Sequence, residues 1–523
     1  MKKPKILVIG LDGATWDLIE PWVEEGKLPT IQGLMKKGTY GDLMSTIPPV
    51  TAAAWVSLYT GQNPGKHGIY DFVTPRGELI NSRHIKGKKL WHILSENGLS
   101  CCVVNVPITY PPEEINGCII SCFLTPPGRK DFVYPPSFMP ILEKNGYKID
   151  IEFETGYRGF FAGAKDMLKR WDLLSESYDI SEKRYKTALD LLKKKPWDFF
   201  FIVFKQTDVV QHFFWDRKDV LLDFYQKIDG YVAEIIARFK TECCNGKDEM
   251  LVFLVSDHGF GPHNSKFNLS TFIKNHKCVN AKALMYASLY YAARRLYSFL
   301  GRVIPIKLFR KQNVSQMLKN RARSQFPFRG EKYGVGGGIY IDKQHPAVKD
   351  YELLREKIIN GLKMIRHPRT GKHVFNGAWK REEIYKGPYV DSAPDVVYLM
   401  EPGYSAEFNF SRISDDWLDS TFPGDHCLNG LLLIMGPYIK ENMKLNGANI
   451  YDVSPTILYL MGLRVPEDMD GEVLTKTIQL GFLQKHPITY QRVTAEVKEE
   501  SKVYTDEEEE KIKQRLKSLG YLG

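Results

Sequence analysis

The 523-residue chain reads as an α/β protein built on a largely parallel sheet. Three observations predict it. Short β-branched or aromatic runs alternate with longer amphipathic patterns. Residues able to hold a metal or attack an ester follow directly after several of those runs, and in open α/β folds such groups gather outside the carboxyl ends of strands. The length exceeds one average domain, which leaves room for a large core with added subdomains.

The elements follow in order. KILVIG, Lys5 to Gly10, is the first strand, and the loop after it holds Asp12 and Gly13. Helical patterns cover Trp16 to Glu24 and Thr30 to Lys37. Further strands are expected at Cys102 to Val106, Cys118 to Phe123, Phe199 to Phe204, Met250 to Ser256 and Leu431 to Met435. Residues 163–194 read as one or two amphipathic helices leading into the Phe199 strand. Residues 1–264 and 400–480 are assigned to the main core on this basis.

Four pieces look like additions. An aromatic and proline-rich stretch at 125–160 suits a lid. Residues 265–335 form a basic insertion with an apolar helical pattern, AKALMYASLYYAARRLYSFL. A small α/β subdomain at 336–399 opens with VGGGIYIDKQHP. The charged tail, 481–523, carries a docking helix with readable signals. Thr505 with Glu508 makes a capping box, Glu507/Lys511 and Glu509/Lys513 are i,i+4 pairs, and Gly520 is a stop. Ile512, Leu516 and Leu519 are its docking stripe.

Composition is ordinary for a soluble globular protein. The N-terminal apolar run is too short for a signal peptide, and no apolar stretch reaches the roughly 18 residues of a membrane span. The eight cysteines include two adjacent pairs, 101–102 and 243–244, and fit neither a zinc ribbon nor a disulfide scaffold. A reduced, cytoplasmic setting is expected.

The net charge of +10 is concentrated. Residues 266–329 hold fourteen Lys or Arg and no Asp or Glu, so the rest of the chain is slightly acidic. Three uses fit such a segment: a solvated face, an electrostatic funnel for an anionic substrate, or a membrane-surface element with Tyr, Leu and Phe between the cations. Substrate steering and contact at the membrane periphery are the preferred pair. No nucleic-acid-binding motif is present.

Four segments supply chemistry. Asp12 follows the first strand at once, although an Asp in a turn before Gly13 explains it when taken alone. Thr51 follows Pro48 and Pro49 and opens a helix pattern, so it suits an N-cap, and it also sets a hydroxyl beside a positive helix end. Asp208 and His212 lie one turn apart if a helix starts near Thr207, which suits a metal half-site or a hydrogen-bonded buried pair. Asp257 and His258 end another strand, and His426 sits in a glycine-bounded loop, PGDHCLNG. Together these offer three carboxylates, three imidazoles and a hydroxyl, enough for two metals.

The order Asp12, Thr51, Asp208-x-x-x-His212, Asp257-His258, His426 resembles the metal ligands of the alkaline phosphatase superfamily. GLDGATWD, LPTIQGLMKKG, TGQNPGKHGIYDF, TDVVQHFFW, SDHGFG, GGGIYID and the LKSLGYLG ending share its look, closest to the type I phosphodiesterase/nucleotide pyrophosphatase-like branch and its phosphohydrolases and phosphomutases. The resemblance implies a three-layer α/β/α fold with a mostly parallel central sheet and inserted subdomains. It implies one metal on Asp208, His212 and His426, and a second on Asp12, Asp257, His258 and the Thr51 oxygen. It also implies Thr51 as nucleophile, through a phospho-threonine intermediate. The nitrogen-rich first set suits zinc, while the oxygen-richer second would also accept manganese.

Two departures bear on substrate. That branch uses an asparagine after its HGI element to bind a phosphate oxygen, whereas here the text is His67-Gly68-Ile69-Tyr70-Asp71-Phe72. The arginine that monoesterases use for the same job is not identifiable. Thr51 cannot become formylglycine, which excludes a sulfatase. The expected activity is therefore metal-dependent cleavage of a phosphate ester, either diester or monoester, on a small molecule or lipid head group. The rivals are a phosphomutase or phosphotransferase, and a peripheral membrane or anion-binding protein with a structural metal site.

Overall fold

A computed structural model describes residues 4–151, 167–246, 249–276, 327–333, 335–409, 416–420, 422–492 and 503–521, with 278 and 285. The expected helix at 281–300 and most of the basic segment lie outside the described residues, as do 152–160 of the expected lid. The chain forms two compact units. One comprises residues 1–262, 385–392 and 421–522, and the other comprises 263–384 and 393–420.

The first unit is organised by a nine-stranded sheet. Its order is Met443–Asn449, Gly38–Met44, Asn429–Met435, Met250–Val255, Lys5–Leu11, Phe199–Phe204, Cys101–Val104, Gly117–Ile120 and Val133–Tyr134. The five strands from Met250–Val255 to Gly117–Ile120 run parallel, while Asn429–Met435 and Val133–Tyr134 run against their neighbours. The starts and ends of the strands that were expected fall within three residues of the sequence expectation.

Unbroken apolar runs are what a strand buried on both faces requires. All of Phe199 to Phe204 and Ile6 to Ile9 have no exposure, and the same holds from Leu251 to Val255. Gly10 interrupts the first run for a packing reason. A Cβ there would lie 2.5 Å from the Trp55 ring. The missing side chain lets the indole of the Thr51–Thr60 helix settle on the sheet, next to the strand ends.

The second unit has a four-stranded antiparallel sheet, in the order Phe375–Lys380, Val396–Met400, Gly336–Ile341 and Phe328–Tyr333, with the Tyr351–Lys363 helix. Ile339, Ile358, Leu362, Ala378 and Val396 are core residues there. The return to the main sheet comes later than the expected boundary near 400. Residues 403–407 and 417–419 pair instead with 263–268, and 385–392 belong to the first unit. Periodicity marks strands but does not say which sheet accepts them, and that is why the boundary moved. Among the described residues no helix is long and apolar enough to cross a membrane.

His67 packs inside the first unit with no exposure. Its Nδ1 accepts from the Ile69 N–H at 3.2 Å, and its Nε2 lies 2.8 Å from Ser57 Oγ. Burial pushes its pKa down from 6.5 to about 3. Between those values the unfolded chain binds a proton that the native state refuses. Stability is therefore full above the higher value and falls as pH drops below it, by about 1.4 kcal/mol per pH unit from this group. His67→Gln should flatten that slope, and urea unfolding at about pH 5 and 7 measures it.

Candidate metal centre and nucleophile

The site forms where parallel strands of the first unit end. The first strand runs straight into Asp12, whose N–H donates to Phe204 O at 3.2 Å. Phe199–Phe204 leads into the Gln206–Phe214 helix, which carries Asp208 and His212 one turn apart. Met250–Val255 ends just before Asp257 and His258. His426 lies on the short Gly424–Cys427 strand, in register with Phe260.

Of the two readings of Thr51, the structure departs from the N-cap. Thr51 is the first residue of its helix rather than the N-cap, which is Val50, and it makes no side-chain capping bond. Its Oγ1 lies instead 3.2 Å from His258 Nε2. A threonine with a purely local role would turn its hydroxyl back onto the helix end.

All seven predicted side chains converge, and all are buried. His258 Nε2 is 3.3 Å from Asp257 Oδ2 and 3.7 Å from Asp12 Oδ1. His426 Nε2 is 3.2 Å from Asp208 Oδ1, and His212 Nε2 is 3.6 Å from the same oxygen. The His258 and His426 rings stack with centroids 3.7 Å apart. Three overlapping groups have ligand atoms within 4.8 Å of one another: Asp12, Asp257 and His258; Asp208, His258 and His426; and His212, Asp425 and His426.

The hydrogen bonds fix the imidazole tautomers. Each Nδ1 faces a backbone carbonyl: His212 to Gly424 O at 3.2 Å, His426 to Pro49 O at 3.1 Å, and His258 to Gly259 O at 3.0 Å. A carbonyl only accepts, so each Nδ1 carries the proton and each neutral ring presents a lone pair at Nε2. The Nε2 atoms of His212 and His426 then face one another at 3.1 Å. Two lone pairs at that separation repel unless a cation, either a proton or a metal, lies between them.

The carboxylates state the same need. Asp12 Oδ1, Asp208 Oδ1 and Asp257 Oδ2 are buried and accept no well-aligned hydrogen bond, which costs several kcal/mol for a charged group left uncompensated. Burial, with Asp257 and Asp208 adding repulsion, raises the Asp12 pKa well above the usual carboxylate range. Burial likewise pushes Asp257 up to about 7. Burial opposes ionisation of Asp208 too, but the neighbouring His212 and His426 imidazoles outweigh it and hold that carboxyl low. His258 is driven well down by burial and by His426. His426 is held up by Asp208 against the effect of burial. Oxygen and imidazole donors in this arrangement, each Nδ1 oriented by an acceptor, are the donor set and supporting shell that divalent transition metals use.

Several supporting residues had no clear sequence signal. Trp55 Nε1 donates to Asp12 Oδ2 at 3.2 Å, and Thr207 Oγ1 donates to Asp12 O at 2.7 Å. Gln211 Nε2 donates to Gly13 O at 2.9 Å. Asp425 was also missed, although a signal existed, since it repeats beside His426 the Asp-His order of Asp257-His258. Tyr521 had no such signal: its hydroxyl donates to Asp208 Oδ2 from more than three hundred residues away.

With this geometry in hand, comparison with known proteins is informative. Residues 6–417 match the type I phosphodiesterase / nucleotide pyrophosphatase family. The chain belongs to that family. It is therefore a phosphoric-ester hydrolase of the alkaline phosphatase superfamily. The family match takes in Asp12, Thr51, Asp208, His212, Asp257 and His258 and ends before His426. Human ectonucleotide pyrophosphatase / phosphodiesterase 5 is similar in fold, with a TM-score of 0.53, 13% identity, and 92% of this chain and 99% of that one covered. Phosphonoacetate hydrolase from Sinorhizobium meliloti 1021, in complex with phosphonoformate, gives a TM-score of 0.54 at 13% identity, covering 88% and 95%. An inactive form of the murine ectonucleotide enzyme, in complex with AMP, gives 0.52 at 12% identity, covering 92% and 100%. At such identities the likeness speaks for the fold alone. No curated protein is significantly similar in sequence.

Gly13 offers a direct test of this packing. It has φ of +67°, and a Cβ there would lie 3.2 Å from Asp208 Oδ1 and 3.0 Å from Phe260. Gly26 has φ of +69° with nothing within 4 Å. Alanine at either position should cost about 1–2 kcal/mol in urea unfolding. Only Gly13→Ala should also lower phosphate-ester hydrolysis, by about 10²-fold.

Proposed function

We propose that the chain is a two-metal phosphohydrolase that cleaves phosphate esters through a phospho-threonine at Thr51. The observation that carries this reading is the convergence of three uncompensated carboxylate oxygens and three imidazole lone pairs beside the Thr51 hydroxyl. Asp208, His212 and His426 would hold one metal, with Asp425 beside them. Asp12, Asp257, His258 and the Thr51 oxygen would hold the other. Zinc suits this nitrogen-rich set, and manganese is the alternative at the second position. When bound, such ions lower the cost of ionising a hydroxyl and neutralise charge on phosphoryl oxygens.

Thr51 performs the transfer. Its Oγ1 lies 3.2 Å from His258 Nε2, so an ion held by that lone pair would sit beside the hydroxyl and favour loss of its proton to water, leaving an oxygen lone pair free to attack phosphorus. The new Oγ1–P bond forms as the bond to the departing alcohol breaks, and water then cleaves the threonine ester to release phosphate or a phosphomonoester. The start of the Thr51–Thr60 helix adds backbone N–H groups and a positive dipole end at the same place, which favours an anionic group. After the HGI element stand Tyr70, Asp71 and Phe72, with no asparagine. Phe72 is buried against Phe123 and Tyr521, with centroids 5.8 Å and 5.6 Å apart. On this reading the metals and the helix end would be partners for the phosphate oxygens.

Hydrolysis of paired aryl phosphate monoester and diester substrates, with and without added Zn²⁺, tests the reading. Thr51→Ala should lose activity by on the order of 10³-fold or more while still binding metal. Turnover by Thr51→Ala at the wild-type rate would refute the threonine nucleophile.

A further inference from the structure

We propose that Tyr521 is a positioning residue for Asp208, delivered to the metal centre by the segment from Thr505 to Tyr521. The proposal deepens the two-metal reading and rests on it. Two lone-pair sites on a ligating carboxylate compete for the metal unless something distinguishes them. The Tyr521 hydroxyl donates to Oδ2 of Asp208. That leaves Oδ1, which faces His426 Nε2 at 3.2 Å and His212 Nε2 at 3.6 Å, as the oxygen directed at the site. Hydrogen bonds of this kind orient a ligand and tune its basicity.

The tyrosine is held from every side. Its ring stacks on Phe123, with centroids 5.9 Å apart and planes at 19°, and meets Phe72 edge-on at 5.6 Å. Lys205 Nζ lies 5.0 Å from the ring centroid, itself fixed by a buried pair with Asp150 at 2.8 Å. Gly520, with φ of +94°, turns the chain off the Asp506–Ser518 helix and passes 3.9 Å from His212 Cε1 when given a Cβ. The helix is anchored behind it. Ile512, Leu516 and Leu519 are fully buried, Arg515 donates to the carbonyls of Phe123 and Thr125, and Arg129 pairs with Glu508 at 2.7 Å. A helix that served only to cover apolar surface would not need to end in a hydroxyl on a metal ligand.

The test is Zn²⁺ affinity of the full chain, measured by titration against a competing chelator, with kcat and KM for an aryl phosphate alongside. Tyr521→Phe keeps the ring packing and removes only the hydroxyl. It should weaken Zn²⁺ binding by about 10–100-fold and lower kcat more than it raises KM, with a cooperative thermal melt in the metal-free state. Gly520→Ala shifts the tyrosine without deleting it and should give the same loss by a second route. Wild-type Zn²⁺ affinity and kcat in Tyr521→Phe would overturn the proposal and leave the two-metal reading standing. Failure of the wild-type chain to bind Zn²⁺ at all would overturn both.

Discussion

Three carboxylates, Asp12, Asp208 and Asp257, are buried together at the ends of three neighbouring parallel strands. Like charges held this close in a low-dielectric interior repel strongly, and burial alone disfavours each ionised form. The surrounding imidazoles, each with its Nδ1 on a carbonyl, bring Nε2 lone pairs rather than donors to this cluster. Each carboxylate has one oxygen turned to an Nε2. The remaining imbalance is negative and is focused into one volume beside Thr51. The two-metal reading proposed above would supply the balancing charge.

Much of the surrounding structure exists to keep this repulsive cluster in place. Gly10 gives up its side chain so that Trp55 can reach Asp12. Thr207 and Gln211, on the helix that carries Asp208 and His212, donate to the backbone of Asp12 and Gly13, which ties two strand ends together. Ser256 Oγ accepts from Leu431 N–H and donates to Ala14 O, linking the Asp257 strand to the segment after His426. Pre-formed support of this kind carries its cost in folding, before any substrate arrives.

The aromatic wall of Phe72, Phe123 and Tyr521 gives the centre a dry side. Low-dielectric surroundings of this kind strengthen the electrostatic interactions beside them, including that of the buried Lys205 ammonium 4.2 Å from the Phe123 ring.

The sequence alone marked the apolar central strands and the site residues that follow strand ends, but not the sheet strands Gly38–Met44, Val133–Tyr134 and Met443–Asn449 or the Lys218–Cys244 helix. Apolar runs such as Phe199 to Phe204 have only one way to be buried, and Asp12, Asp208, Asp257 and His258 lie within a few residues of such runs. The C-terminal helix was equally legible, because its cap, ion pairs and apolar stripe are all local features. Only the tertiary structure decided the rest. Thr51 could be read locally either as an N-cap or as a hydroxyl offered to a phosphate, and it points to His258 because residues two hundred positions apart become neighbours across the sheet. Residues near 400 join the second unit because strand pairing depends on which edge is free, a property of the assembled sheets. Tyr521 reaches Asp208 because a helix docked by Ile512 and Leu516 happens to end there. Contacts between distant segments leave no periodic trace in sequence, so chemistry that depends on them becomes readable only once the chain has folded.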